Sequence, residues 1–162
     1  MKEDILFYLN DIQVILYCDL LNEMINFKQS TMKMPESGGV ITGLIFNDEI
    51  RITSCSIPNE YDKQSRFNFI RSKFGAQKFI NEKYFKSQGT EIYLGEWHTH
   101  PEKFPKPSMT DILSFKNTLE SNILNSTIFF MLIVGLCEIY VGVYNRNKEV
   151  IKELSFPFSN SK

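Results

Sequence analysis

Residues 93–111 read YLGEWHTHPEKFPKPSMTD, and this stretch joins a predicted strand to a predicted helix. The strand covers Glu91 to His98, where apolar and aromatic residues are frequent. Three prolines then force a loop, because proline continues neither a central strand nor a helix interior. A helix is predicted from about Ser108 to Ser121. The stretch therefore predicts a strand, a braced loop and a helix in succession.

The segments on either side of this stretch predict further strands and helices. Residues 12–27 carry apolar side chains at roughly helical spacing, and Asn47-Asp48 is typical of a hairpin turn. The predicted elements are a strand over Ile5–Leu9, a helix over Ile12–Phe27, strands over Val40–Phe46 and Ile50–Ile57, a loop then a helix within Asp62–Lys86, and strands over Ile128–Val134, Ile139–Tyr144 and Val150–Phe156. This order predicts an α/β fold with a mixed β-sheet flanked by helices.

Length and composition predict one globular domain. The chain has 162 residues, of which 43% are hydrophobic and 23% charged, so it can supply a core of its own. No internal repeat or linker-like segment divides it, and we expect a single domain over residues 1–162. The formal net charge of −1 excludes a strongly basic nucleic-acid-binding protein, so no nucleic-acid partner is expected.

The cysteines, the first residues and the longest apolar run predict the cellular compartment. Cys18, Cys55 and Cys137 form no C-x-x-C pair, which favours buried thiols in a reducing compartment. The acidic segment Met1–Asp4 lacks the basic start of a signal peptide. The apolar run Ile128–Leu136 is shorter than the roughly 20 residues of a membrane helix and predicts a buried strand. We therefore expect a cytoplasmic protein without membrane contact.

The two histidines of the chain, His98 and His100, flank a single residue at the end of the predicted strand. Side chains repeat every two residues on a strand, so both imidazoles project from the same face. Neutral imidazole is a good ligand for Zn²⁺, and this spacing suits one shared ion. A short H-x-H motif also occurs by chance at sheet edges, so the pair alone does not identify a metal site.

Ser108 and Asp111 at the start of the next predicted helix allow two interpretations. A serine followed three residues later by an acidic residue is close to a capping box, which needs no metal. An aspartate in the first helical turn is also well placed to face the strand that carries the histidines. Two histidines and one aspartate would leave a fourth tetrahedral position open, as in catalytic rather than structural zinc sites. The arrangement is typical of a hydrolase.

A hydrolytic zinc site needs a general base, and spacing leaves three candidates open. Glu96 lies two residues before His98 and therefore shares its strand face. Glu36 precedes the first predicted hairpin, and a glutamate at such a position is ordinarily an exposed turn residue. Glu102 lies on the proline-containing loop.

The complete set of residues resembles the signature of JAMM metallopeptidases, also called MPN-plus or JAB proteins. That signature has a glutamate, an H-x-H-P segment, a seven-residue interval after the second histidine, and then S-x-x-D; here these are Glu36, His98-Thr99-His100-Pro101, Pro101 through Pro107, and Ser108 with Asp111. The resemblance implies the JAB/MPN fold, which is cytidine-deaminase-like. It also implies that His98, His100 and Asp111 bind one Zn²⁺ ion. Glu36 would be the general base, and Ser108 would donate a hydrogen bond to the oxyanion.

Two segments, Asp62–Phe67 and Tyr93–Glu102, are similar to a bacterial branch of this family that is associated with cyclic-oligonucleotide antiphage (CBASS) operons. This resemblance implies an isopeptidase that cleaves after the extended C-terminal tail of a ubiquitin-like modifier or a cGAS-like nucleotidyltransferase. The cleavage would release that protein from the one to which it is conjugated. It also implies an E1/E2-like protein in the same operon. Eukaryotic deubiquitinases usually have tryptophan two residues before the first histidine, whereas this chain has Glu96 there and Trp97 next. This difference makes Glu96 a candidate partner of a zinc-binding histidine.

Two other classes of protein with different functions have the same fold. One is a non-catalytic MPN interaction module, although no residue of the active signature is missing here. The other is a RadC-like, DNA-linked JAB protein, a group that typically has asparagine where this chain has Thr99. The segment Asp62–Lys86 is rich in basic residues, which predicts either a solvated helix face or a surface for an anionic partner.

Overall fold

The computed structural model describes residues 1–158, and residues 159–162 of the predicted domain lie outside the described part. Ten strands and three helices form within residues 1–158. In chain order they are β1 (Ile5–Leu9), β2 (Ile12–Leu16), α1 (Cys18–Ile25), β3 (Gly38–Ile45), β4 (Glu49–Cys55), β5 (Lys63–Ser65), β6 (Asn68–Ile70), α2 (Lys73–Lys86), β7 (Ile92–Thr99), α3 (Met109–Ser121), β8 (Ile128–Val134), β9 (Glu138–Asn145) and β10 (Val150–Pro157).

Eight of these strands form one mixed sheet in the order β1-β2-β4-β3-β7-β8-β9-β10. The β2–β4 and β7–β8 pairs are parallel and the other pairs are antiparallel. Parallel neighbours need a long crossover, and α3 supplies it between β7 and β8. Strands β5 and β6 form a separate small hairpin. The predicted fold class, a mixed sheet flanked by helices, is confirmed.

Each face of the sheet packs against different helices. On one face, the α1 side chains Leu20, Leu21 and Met24 belong to a core that includes Leu94 and Phe130 of the central strands. On the other face, Ala76 of α2 and Phe115 and Leu119 of α3 pack with Tyr93 and Met131. Alternation along the strands sends neighbouring side chains to opposite cores. The start of α3 is thereby held on the face of β7 opposite to α1.

The predicted helix over Ile12–Phe27 is wrong in its first half. Residues 12–16 form β2, which pairs with β1 through a two-residue turn in which Asn10 has a φ of 52°. Val14 and Leu16 are buried on one face, as the period of a strand requires. Only Cys18–Ile25 is helical. Apolar residues two, three and four positions apart fit either period over so short a segment, and β-branched residues favour the strand.

The predicted loop and helix within Asp62–Lys86 form a hairpin and a helix. The helix α2 is confirmed, and the Ser72 hydroxyl caps it by accepting from the Gly75 amide. The preceding loop contains β5 and β6, whose exposed three-residue strands give no periodic signal. Of the three free cysteines, Cys55 is buried, whereas Cys18 and Cys137 are partly exposed, so buried thiols were correctly predicted for one of them.

The two edge strands of the sheet, β1 and β10, curve towards one another. The Lys152 ammonium donates to the Tyr8 carbonyl oxygen at 2.7 Å, and the rings of Phe7 and Phe156 have centroids 6.0 Å apart. The sheet thus wraps around α1 and its apolar side chains. Across residues 1–158, the helices are too short or too polar to span a bilayer.

Candidate metal centre

A β-bulge in β7 sets the direction of the side chains near the histidines. Against β3, Thr42 pairs with Tyr93 and Ile41 pairs with Gly95, which leaves Leu94 as an extra residue. Gly95 has a φ of 150°, and a β-carbon there would lie 1.9 Å from the Phe130 carbonyl oxygen. Only glycine fits this position. After the bulge, alternation resumes and directs the side chains of Glu96 and His98 to the face that packs against α2 and α3.

His98, His100 and Asp111 converge at the C-terminal end of β7. The two imidazole Nε2 atoms lie 3.2 Å apart. Asp111 Oδ1 lies 3.5 Å from His98 Nε2, and Asp111 Oδ2 lies 3.4 Å from His100 Nε2. One ligand atom from each residue falls within 4.8 Å of the others. The expected convergence of the three side chains is present, with the histidines on one strand face and the aspartate arriving from α3.

The start of α3 satisfies both interpretations of Ser108 and Asp111 at once. Asp111 Oδ2 accepts from the Ser108 amide at 2.7 Å, and Ser108 Oγ accepts from the Asp111 amide at 3.1 Å, which completes a capping box. The same carboxylate faces both imidazoles. Burial raises the pKa of Asp111, but hydrogen bonds with His100 and His98 outweigh it, so the pKa lies far below its usual range. The cap fixes the carboxylate where the histidines meet.

Glu102 contacts the second histidine from the opposite side of its ring. Its Oε2 atom lies 3.0 Å from His100 Nδ1. Burial lowers the pKa of His100, but the carboxylates of Asp111 and Glu102 raise it by more. A carboxylate on Nδ1 favours the tautomer whose Nε2 is free to bind a metal. The sequence indicates Glu102 only as a candidate base, although its position two residues after His100 is a signal for this contact.

Glu36 lies beside this cluster, two residues before β3. Gly38 pairs with His98, and the Thr99 amide donates to the Ser37 carbonyl at 2.8 Å, so the chain at Glu36 lies near the end of β7 that carries the histidines. The side chain is half-buried rather than exposed in a turn. Burial raises the pKa of Glu36 against the opposing effect of the two imidazoles, and Asp111 raises it further. The Glu36 carboxylate therefore lies within electrostatic reach of all three side chains of the cluster.

Glu96 shares the strand face of His98 but is already engaged. Its Oε1 atom accepts from Arg71 at 2.7 Å and from the Tyr93 hydroxyl at 3.3 Å. Tyr93 and Glu96 are three residues apart, and the bulge between them brings them to one face. Arg71 and Glu96 side chains are only 21% and 18% exposed. The glutamate therefore anchors the start of α2 to β7.

The donor set suits a divalent transition-metal ion. Two imidazole nitrogens and one carboxylate oxygen match the borderline preference of such ions, and three protein ligands leave one coordination position open. The His100–Glu102 contact supplies the outer hydrogen bond that metal-binding histidines usually have. The residues present therefore fit a catalytic rather than a structural metal site.

Known proteins resemble this chain over most of its length. Residues 18–149 match the family Prok-JAB, prokaryotic homologs of the JAB domain. A protein named CD-NTase/cGAS isopeptidase from Escherichia coli (strain TW11681) is 33% identical over 144 residues, which cover 89% of this chain and 88% of that protein. One of the same name from Vibrio cholerae serotype O1 (strain ATCC 39315 / El Tor Inaba N16961) is 32% identical over 137 residues, 85% of each chain.

A third relative matches a shorter part of the chain. The CD-NTase/cGAS isopeptidase of Pseudomonas aeruginosa (strain BWHPSA011 / Pa011) is 40% identical over 76 residues, which cover 47% of this chain and 48% of that protein. Together with the family match, these relatives confirm the prediction of a JAMM-type deconjugating peptidase. The chain belongs to the prokaryotic JAB-domain family.

Proposed function

We propose that this protein is a zinc-dependent isopeptidase that releases a cGAS-like nucleotidyltransferase, or a ubiquitin-like modifier, from a protein to which its C-terminus is conjugated. The observation that carries the proposal is the convergence of His98, His100 and Asp111 beside Glu36 and Ser108. The names of the relatives support the substrate class. Residues 1–162 would act as one catalytic domain.

The three convergent side chains would hold one zinc ion through His98 Nε2, His100 Nε2 and the Asp111 carboxylate. When bound, zinc supplies a Lewis acid that polarises a carbonyl group and lowers the pKa of water to about 7. The capping box and the Glu102 contact orient Asp111 and His100 before any ligand arrives. Little reorganisation is then needed for binding.

Glu36 would act as the general base. It accepts a proton as water attacks the carbonyl carbon of the isopeptide bond, and returns that proton to the lysine amine as the carbon–nitrogen bond breaks. Its half-buried position beside His98, His100 and Asp111 supports this role. The products are a free C-terminal carboxylate and a free lysine side chain.

Ser108 would stabilise the oxyanion that forms during the attack. Its Oγ atom accepts from the Asp111 amide, so the hydroxyl hydrogen remains available to donate. A donor aimed at charge that develops only in the transition state lowers the barrier without tightening substrate binding.

The proposed setting is bacterial antiphage defence in the cytoplasm, where an E1/E2-like protein from the same operon forms the conjugate. The substrate would present an extended C-terminal tail to the site. The segment Asp62–Lys86, with the hairpin β5–β6 and α2, adjoins Glu36 through the bond from the Glu36 amide to the Ser65 carbonyl. It is thus suitably placed to contact the body of such a substrate.

The test is cleavage of a fusion in which a carrier protein follows the C-terminal tail of a cGAS-like nucleotidyltransferase. We expect zinc-loaded protein to release the tail at its last residue, detected by mass spectrometry, and Asp111→Asn to release none. Chelation should stop the reaction, and one equivalent of zinc should restore it. An intact fusion in the presence of zinc-loaded protein would favour the non-catalytic interaction module instead.

A further inference from the structure

Gln29 is a buried polar residue that links three separate segments around the metal centre. It lies between α1 and β3 and is 2% exposed. Its Nε2 atom donates to the Arg66 carbonyl at 2.8 Å and to the Met34 carbonyl at 3.3 Å. Its Oε1 atom accepts from the Thr99 hydroxyl at 3.3 Å. One side chain therefore joins the β5–β6 turn, the approach to Glu36 and the histidine strand.

Thr99, the residue between the two histidines, continues this connection. It is fully buried, and its side chain points to the face of β7 opposite to the imidazoles. Its Oγ1 atom accepts from the Ser37 amide at 3.0 Å while its hydroxyl donates to Gln29. The threonine thus ties the residue that follows Glu36 to the strand that carries the histidines.

The hairpin β5–β6 holds Glu36 from the other side. Gln64 Nε2 donates to the Glu36 carbonyl at 3.0 Å and to Ser37 Oγ at 3.1 Å. The Glu36 amide donates to the Ser65 carbonyl at 2.8 Å. Gln29 holds the turn of the same hairpin at Arg66. Both backbone polar groups of Glu36 are bound by a hairpin whose turn Gln29 ties to β7.

We infer that Gln29 is a positioning residue, which fixes the carboxylate of Glu36 relative to His98 and His100 through the hydrogen bonds to Thr99, Met34 and Arg66. The inference rests on the proposed function, in which Glu36 moves the proton. A base must lie within hydrogen-bonding reach of the proton that it accepts. A displacement of about 1 Å lowers the rate by up to about 100-fold. Gln29 would therefore affect the chemical step without touching substrate.

The experiment compares variants that remove these hydrogen bonds with little change in volume. Gln29→Met and Thr99→Val should each lower kcat about 10- to 100-fold. KM should change little and zinc should stay at one equivalent, because neither residue touches the substrate or binds the ion. Thr99→Ser restores the hydroxyl and should recover kcat relative to Thr99→Val. Since the two residues act through one bond, the double variant should lose less than the product of the single losses.

Ser126→Ala is the matched control for loss of a buried polar side chain. Ser126 is 2% exposed, and its hydroxyl bridges the carbonyl and amide of Ile128, away from the metal centre. This variant should lose stability while its kcat stays at the wild-type value. A kcat loss equal to that of Gln29→Met would mean that any buried polar deletion has the same effect, and would overturn the inference.

A second readout needs neither zinc nor substrate. In metal-free protein, Gln29→Met should increase the amide hydrogen exchange of Met34, Glu36, Ser37 and residues 63–70, with unchanged protection in β8 and β9. Unaltered exchange together with a wild-type kcat would exclude the positioning role. If the wild-type protein cleaves no conjugate, the proposed function fails, whereas the exchange measurement still decides whether Gln29 holds the Glu36 segment.

Discussion

His100 Nδ1 lies 3.0 Å from Glu102 Oε2, while His100 Nε2 faces Asp111 Oδ2 at 3.4 Å. The ring is therefore held by a carboxylate at each nitrogen, one from the loop and one from α3. Glu102 is 61% exposed, so it is available to orient the ring without a large cost of burial.

Replacing Glu102 by alanine should weaken zinc binding about tenfold, at the low end of the 10- to 100-fold effect of such outer contacts, because the carboxylate is well exposed. Glu102→Gln keeps an acceptor oxygen and should lose less. The measurement is competition with a chelator of known zinc affinity. Lys103→Ala, at an exposed neighbour, is the control; an equal loss in that variant would mean that the loop, and not the carboxylate, is responsible.

Glu36→Gln should lower kcat at least about 100-fold while one equivalent of zinc remains bound, since an amide cannot accept the proton. The paired variant Glu96→Gln should keep its cleavage activity. It should instead lower the free energy of unfolding by about 1–2 kcal/mol, because Arg71 loses a charged partner in a partly buried site. Kinetics and urea unfolding separate the two effects. The opposite pattern, with activity lost only in Glu96→Gln, would reassign the base.

Zinc should raise the melting temperature of metal-free protein, because the ion binds the folded chain, in which the three donors are together. A free zinc concentration of about 100 times Kd corresponds to about 2.7 kcal/mol, or about 5–10 °C for a chain of this size. Asp111→Asn should lose this shift but still fold, since the amide oxygen can accept from Ser108 and keep the helix cap. The melting temperatures are measured by scanning calorimetry. An undiminished increase on zinc addition in Asp111→Asn would place the ion elsewhere.

Gly95→Ala should lower the free energy of unfolding by about 3 kcal/mol or more, because the backbone angle is strained for alanine and the methyl group would overlap the Phe130 carbonyl. Gly75→Ala is the comparison. An alanine at this position in α2 stabilises the helix by up to about 1 kcal/mol through its higher helix propensity. The cost is a small movement of the Asn59 side chain, which is the nearest neighbour of the added methyl group. Urea titration followed by circular dichroism should show the contrast; equal midpoints would remove the bulge as a structural requirement.

The sequence predicts elements well where one periodicity dominates. The strand over Ile128–Val134 has the same bounds as β8, because a continuous apolar run suits a strand buried on both faces. The helix predicted over residues 12–16 is wrong because their apolar spacing fits either a helix or a strand, and pairing with β1 decides for the strand. The exposed strands β5 and β6 carry no pattern, since neither face packs against a core.

Spacing also predicts part of the candidate site. The same-face placement of His98 and His100 follows from the period of a strand, and Asp111 follows from the cap of α3. Spacing does not rank Glu36, Glu96 and Glu102, because the path of the loop and the bulge at Gly95 decide where each carboxylate goes. The assigned catalytic and metal-binding roles stay predictions that the variants above test.

The bond between Lys152 and Tyr8 joins positions 144 residues apart in the chain. Contacts between such distant positions slow folding, because much of the chain must be ordered before they form. The β1–β2 hairpin can form locally, but its contact with β10 has to wait for the rest of the sheet. The contact between β1 and β10 should therefore be absent from the folding transition state. Lys152→Met should then accelerate unfolding and leave the refolding rate unchanged in stopped-flow measurements.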